Sequence, residues 1–386
     1  MKIGIYNEPS GGPIGGCEVC VAILAEALSD KHAVTIIHHR KSLIAGTLAE
    51  FASTDLTNVR LQYVPPTPYS FGSSHNIAQR YREARGWHAE LSEPYDLFIN
   101  FTHHAPPFCR ADRGVLVILF PFDEPPFRQS KGNMWSLIDF CKRRYHEWEW
   151  KKRMEGYQHK ISISQFTRNW VTERWEIDSE VIYPPVETDF RSIEKQEMIV
   201  SVGRFATEGH SKNQLAMMGA FQELDGNELK GWTYSCVGAL GESSNDRQYF
   251  EQVLSLGREC GADVIANAPR DCVRTLYEKA KVFWHAAGFG MGKQQPELQE
   301  HFGIATAEAM AAGCIPVVFQ GGGPMELVEH GVNGFLWNTL DELKAYTALI
   351  GRDDALRDRL SAEARVRAQL FSRARYVDGF RSFLRL

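Results

Sequence analysis

Apolar residues fall along this chain in short unbroken runs, separated by stretches with helical spacing. Lys2–Tyr6, Ala33–His38, Leu97–Phe101, Val115–Leu119 and Ile161–Ser164 are such runs, and Val181–Tyr183 closes the series. Runs that stay apolar on consecutive residues suit strands of a parallel sheet covered on both faces. Helices are predicted over Glu18–Leu28 and Gln165–Trp175. Tyr183-Pro184-Pro185-Val186 then reads as a stiff extended segment, because proline fixes its own backbone angle and drives the residue before it out of the helical region. A second series follows. Met198–Val202, Thr233–Val237, Val264–Ala266, Val282–His285 and Ile315–Phe319 read as strands. Asn213–Leu224, Asp271–Ala280 and Ile304–Ala312 read as helices, the last closed by Gly313. The tail from Leu340 to Leu386 reads as helices.

Two alternating series in 386 residues predict an α/β protein of two doubly wound, Rossmann-like domains facing a central cleft. The expected domains are 1–190 and 191–372, with the C-terminal helix, about 373–386, returning to the first. Ligands in such sheets bind at the carboxyl ends of the strands. The composition, 44% hydrophobic and 24% charged, is that of a globular enzyme, and a net charge of -5 gives no global reason to expect nucleic acid. Eight scattered cysteines fit reduced thiols. Cys17 and Cys20 form a lone C-x-x-C without a second ligand pair, so no metal site is expected; a redox pair or two small apolar residues on a helix are the readings left. The opening MKIGIYN is already a strand, with no charged leader before it, and no run of about 18 apolar residues occurs. A cytoplasmic enzyme is the expectation.

The segment Glu300-His301-Phe302-Gly303-Ile304-Ala305-Thr306-Ala307-Glu308 carries the most chemistry. A helix start presents free N–H groups and a positive dipole end, which suits a diphosphate. Small residues at Gly303, Ala305 and Ala307 admit a ligand to the backbone. Two carboxylates there can accept hydrogen bonds from vicinal hydroxyls of a sugar and a ribose. Taken alone, two acids eight apart also describe a solvated helix face. In the first half, Gly15-Gly16 between a strand and a helix permits close backbone approach, or simply a tight turn.

The whole string EHFGIATAEAMAAGCIPVV, with seven residues between Glu300 and Glu308 inside it, resembles the signature of glycosyltransferase family 4, the retaining GT-B enzymes. Ser201-Val202-Gly203-Arg204-Phe205 followed by Lys212-Asn213-Gln214 is similar to that family's diphosphate-binding segment, and Gly321-Gly322-Gly323-Pro324-Met325-Glu326 to the turn after the signature. The likeness is dense from Ile161 to Leu343 and thin from Arg40 to Lys160. It implies a retaining, metal-independent transferase that takes a nucleotide-diphosphate sugar as substrate and needs no cofactor, acting on a glycan, lipid-linked or small-molecule acceptor. It implies that Arg204 and Lys212 hold the diphosphate, that Glu300 faces the donor sugar and Glu308 the ribose, and that the amides of Phe302, Gly303 and Ile304 lie near phosphate or sugar. Gly15 and Gly16 would touch the diphosphate or the acceptor, and the base would dock near Ala266–Arg270. Many relatives carry a His after a central strand of the first domain. Here that stretch reads Phe120-Pro121-Phe122-Asp123-Glu124, so His103, His104 and Asp123 are the candidates for its place.

The segment 142–153 is basic and aromatic. It reads either as a peripheral contact with an anionic inner-membrane face or as an ordinary charged helix with tryptophan stems turned inward. A Rossmann oxidoreductase lacks support, because Gly11-Gly12-Pro13-Ile14-Gly15-Gly16 has the wrong spacing and His38-His39-Arg40 stands where an acidic residue belongs. No D-x-D triplet occurs for a metal-dependent transferase. A sugar-nucleotide epimerase, a phosphorylase or an inactive sugar-nucleotide binder share the same cleft and remain as alternatives.

Overall fold

The computed structural model describes all residues except 9–13, 66–85, 123, 126–136, 208–210, 226–228, 242, 293–294 and 386, and leaves the side chains of 137–139, 142 and 225 undescribed. Asp123 therefore lies outside the described residues. The chain divides into two compact units, Met1–Ile182 and Tyr183–Leu386. The C-terminal helix Arg373–Leu384 is counted in the second, and Val186 bridges to Ser372 just ahead of that helix.

The first unit holds β1 (Lys2–Asn7), β2 (Ala33–His38), β3 (Val59–Tyr63), β4 (Leu97–Thr102), β5 (Arg113–Ile118), β6 (His159–Ser162) and β7 (Glu180–Val181). They form one sheet in the order β3-β2-β1-β4-β5-β6-β7. The second unit holds β8 (Gln196–Val202), β9 (Thr233–Gly238), β10 (Asp263–Ala266), β11 (Ala280–His285), β12 (Ile315–Phe319) and β13 (Phe335–Trp337), in the order β10-β9-β8-β11-β12-β13. Every pairing among the described strands is parallel. The unbroken apolar runs are explained by burial on both faces: all six residues of β4 are buried, and so are the last five of β1, β2 and β5. β3 is an edge strand whose VRLQY is only partly buried, so it carries no such run.

In each unit the strand order reverses direction beside its first strand, between β1 and β4 and between β8 and β11. That is where a doubly wound sheet opens a crevice at its carboxyl edge. The second core is built on Trp284, Trp337, Tyr234, Phe205 and Phe221, all fully buried. Its indoles find partners: Trp284 Nε1 donates to Thr347 Oγ1 at 2.9 Å and Trp337 Nε1 to the Val317 carbonyl at 3.3 Å. The helix Ile304–Ala311 ends as its sequence foretells. Gly313 adopts a left-handed φ of 82°, its N–H reaching the Met310 carbonyl and that of Cys314 the Ala309 carbonyl. This is a Schellman close.

Candidate active site

The site in the second unit begins with close backbone approach at the ends of β8 and β9. A side chain at Gly238 would collide with the Gly203 carbonyl, and a Cβ at Gly203 would stand 2.6 Å from Lys212 Cγ. The Lys212 stem thus lies on the bare face of Gly203. The two residues after it fasten the loop. Asn213 sits at a left-handed φ of 51° and donates from Nδ2 to the carbonyls of Ala286 and Phe289 at 2.8 and 3.0 Å. Gln214, buried, donates to the carbonyls of Gly203 and Arg204 at 3.2 and 3.0 Å and accepts from Tyr249. Asn213 and Gln214 tie the end of β8 to the loop after β11. Their part rests on contacts across 10 to 76 residues of chain, and no local pattern in the sequence discloses it.

The helix Ile304–Ala311 is entered through Gly303, at φ 104° and ψ 57°. That conformation is costly for any residue with a Cβ. The turn Gly321–Gly323 lies directly on the backbone before the helix. Gly323 N donates to the Glu300 carbonyl at 2.7 Å, and side chains at Gly322 or Gly323 would run into residues 300–302. This fixes where Glu300 leaves the chain. Phe302 itself is buried against Tyr183 and Phe371, so its ring belongs to the core and only its backbone can serve a ligand. Thr306, fully buried in the first turn, has a hydroxyl with no hydrogen-bond partner among the described residues.

Lys212 and Glu300, 88 residues apart, meet here: Lys212 Nζ lies 2.5 Å from Glu300 Oε2. His285, the last residue of β11, brings Nε2 to 3.3 Å of the same oxygen. Glu308, one helical turn beyond the start, pairs with Arg270 at 3.2 Å. Burial pushes the Glu308 carboxyl above the ordinary carboxylate range and Glu187 adds to this, while Arg270 and Arg373 oppose it. Arg204 stands exposed at the end of β8, and its guanidinium makes no hydrogen bond or ion pair among the described residues. His285, Arg270 and Thr306 escaped the sequence reading as individual site residues. Arg270 was foreseen only as the end of a base-docking loop.

In the first unit, Gly15 precedes the helix Gly16–Ser29 and its N–H donates to Glu18 Oε2 at 3.0 Å. Burial raises the Glu18 carboxyl, against the stabilising N–H bonds. His103 and His104 follow β4 and lie against Phe122, with ring centroids at 4.9 and 5.9 Å. Thr102 Oγ1 fastens the backbone of His104. Cys17 and Cys20 are free thiols; burial raises both, and Cys17 donates to Asn7. Residues 142–153 lie in the helix Leu137–Glu155. Trp150 and Met154 are buried and Tyr145 and Trp148 exposed, while Arg144, Lys152 and Arg153 pair within the helix with Glu147, Glu155 and Glu149. No helix among the described residues is long and apolar enough to cross a membrane.

Two family models divide this chain between them. The Glycosyltransferase Family 4 model matches residues 14–190, and the Glycosyl transferases group 1 model matches residues 187–367. The chain belongs to glycosyltransferase family 4. The segments that match are therefore the ones that build the fold and the Lys212–Glu300 site. This family 4 member is 27% identical over 201 residues to the GDP-Man:Man(3)GlcNAc(2)-PP-Dol alpha-1,2-mannosyltransferase of Dictyostelium discoideum, covering 47% of this chain and 38% of that one. It is 40% identical over 137 residues to the D-inositol 3-phosphate glycosyltransferase of a Nocardioides species, covering 34% and 29%. The chain thus spans less than half the length of these curated relatives. Among solved structures it resembles Anabaena HepE in complex with UDP and glucose, with a TM-score of 0.66 at 17% identity over 100% of this chain and 99% of that one. It also resembles sucrose-phosphate synthase from Thermosynechococcus elongatus, with a TM-score of 0.67 at 15% identity over 100% and 98%. These likenesses establish the GT-B fold for the family 4 chain.

Proposed function

We propose that this protein transfers a sugar from a nucleoside-diphosphate sugar to an acceptor hydroxyl, with retention at the anomeric carbon and without a metal ion. The observation that carries the reading is the meeting of Lys212 and Glu300 just ahead of the Ile304–Ala311 helix start. A cation, free helix N–H groups and a carboxylate in one place suit a diphosphate joined to a polyhydroxylated ring. The bond from the anomeric carbon to the leaving phosphate oxygen breaks as the acceptor oxygen bonds to the same face. The acceptor proton passes to the departing phosphate oxygen. Arg204, Lys212 and the helix start offset the charge that grows on the leaving group, in the role that a divalent ion fills elsewhere. Glu308 takes the ribose hydroxyls. The second domain binds the donor; the acceptor, a glycan, a lipid-linked sugar or a small molecule, is assigned to the first, with Gly15, Gly16, His103 and His104 as its candidates.

The test is incubation of the purified protein with UDP- and GDP-sugars, with and without EDTA, while released nucleoside diphosphate is measured and the product anomer is read by NMR. Release that survives EDTA, with an anomer matching the donor's, is the expected outcome. Binding without release would make the protein a sugar-nucleotide binder; release abolished by EDTA would overturn the metal-free mechanism.

Glu308→Ala should weaken nucleoside-diphosphate affinity roughly 10- to 100-fold, the scale of a hydrogen bond to a charged group. The protonated carboxyl is the weaker acceptor, and burial raises its pKa. Affinity should therefore start to fall, as pH is lowered, above the range where an ordinary glutamate titrates. Titration calorimetry across pH checks this, and Glu308→Gln should flatten the profile.

A further inference from the structure

We propose that His285 is a positioning residue that keeps the Glu300 carboxylate aimed at the donor sugar, and anionic, once Lys212 has turned to the diphosphate. The proposal rests on the donor-binding role given above to Lys212 and Glu300.

Lys212 Nζ and His285 Nε2 address one oxygen, Glu300 Oε2, at 2.5 and 3.3 Å. The two donors differ in freedom. Lys212 is an ammonium on a flexible four-carbon stem, lying over a glycine that offers no side chain to confine it. His285 has two rotatable bonds, is 4% exposed, and its backbone is paired with Val318 at the end of β11. Of the two, only the lysine is built to move. The ion pair and the phosphate contact draw on the same ammonium, so an arriving diphosphate competes with Glu300 for Lys212. At that moment His285 Nε2 still addresses the same oxygen and holds its direction.

The chemistry of that donor matters. A second cation would neutralise Glu300 and weaken it as an acceptor for sugar hydroxyls. His285 avoids this. Burial, with Lys212 adding to it, lowers its pKa against the pull of Glu300, so the ring is neutral near pH 7. A neutral ring has one N–H. The carboxylate at Nε2 fixes the proton there, because only a donor satisfies that contact. Nδ1, buried and without a hydrogen-bond partner among the described residues, is left as the bare lone pair. A buried acceptor without a partner is more tolerable than a buried N–H without one. The same ring lines a small cavity with Ser201, Gly203, Lys212 and Gln214, which places it inside the lysine's surroundings.

Three variants test this in the full chain: His285→Gln, whose amide nitrogen falls near the imidazole Nε2, His285→Asn, whose nitrogen falls near Nδ1, and His285→Leu. The readouts are kcat/KM for the nucleotide sugar that the wild type turns over, affinity for the nucleoside diphosphate it releases, and Tm. The Asn and Leu variants should lose about tenfold in kcat/KM, the Gln variant should recover most of it, and all three should bind the free nucleoside diphosphate as the wild type does. Equal losses in Gln and Asn, or unchanged kcat/KM in Leu, would overturn the proposal. So would a parallel loss of nucleotide affinity and Tm in all three, which marks packing alone. A wild type that turns over no nucleotide sugar would instead bring down the transferase reading beneath it.

Discussion

Lys212→Ala is expected to lower turnover about 10²- to 10³-fold, the range found when one donor to a developing oxyanion is removed. Two effects combine. The departing diphosphate loses an ammonium that offsets its growing charge. Glu300 loses the cation 2.5 Å from its oxygen and keeps only the neutral His285 of that pair. The carboxylate, its side chain 21% exposed, then repels the diphosphate. Lys212→Arg should not restore the rate. The stem lies on the bare face of Gly203, and a planar guanidinium distributes its charge over a wider fork. Steady-state release of nucleoside diphosphate at saturating donor, with Tm recorded alongside, checks both variants. An unaltered kcat in Lys212→Ala would remove the residue from the chemistry.

Arg204→Ala should cost at least tenfold in turnover for the same electrostatic reason, with a smaller effect because the guanidinium is exposed and water screens it. It is also the cleaner experiment. The Arg204 side chain makes no ion pair among the described residues, and this stretch is held by its backbone: the Arg204 carbonyl accepts from Gln214, and the N–H groups of Gly203 and Phe205 donate to the carbonyls of Val237 and Ala239. Truncation removes charge and leaves those backbone bonds in place, so Tm should stay constant while kcat falls. A rate equal to the wild type's would confine the diphosphate contacts to Lys212 and the helix start.

The two sheets were legible because their central strands are buried on both faces and so read as unbroken apolar runs; β4 and β5 are the plainest. The edge strand β3 escaped, because exposure on one side had broken its run. Gly313 was legible as a helix end, since the left-handed close it makes is a local event. Glu300 and Glu308 were found through a string of residues that resembles a known family, and spacing alone would not have separated them from a solvated face. What no local reading supplied was partnership. Lys212 finds Glu300 across 88 residues, Arg270 finds Glu308 across 38 and Asn213 finds the loop after β11 across 73 or more. His285 looked like the last residue of an apolar strand. Only the folded sheet shows that strand ending beneath a carboxylate.

The place of β8 between β9 and β11 has a consequence for synthesis. Val200 pairs with Phe283, so one flank of β8 stays open until the ribosome has made on the order of 80 more residues. At translation speeds of ~5–20 residues per second this lasts on the order of ten seconds. For that time the nascent chain displays an apolar strand edge that another chain can extend. The hazard for this protein in a crowded cell is greatest before the chain is complete, and it grows when elongation slows.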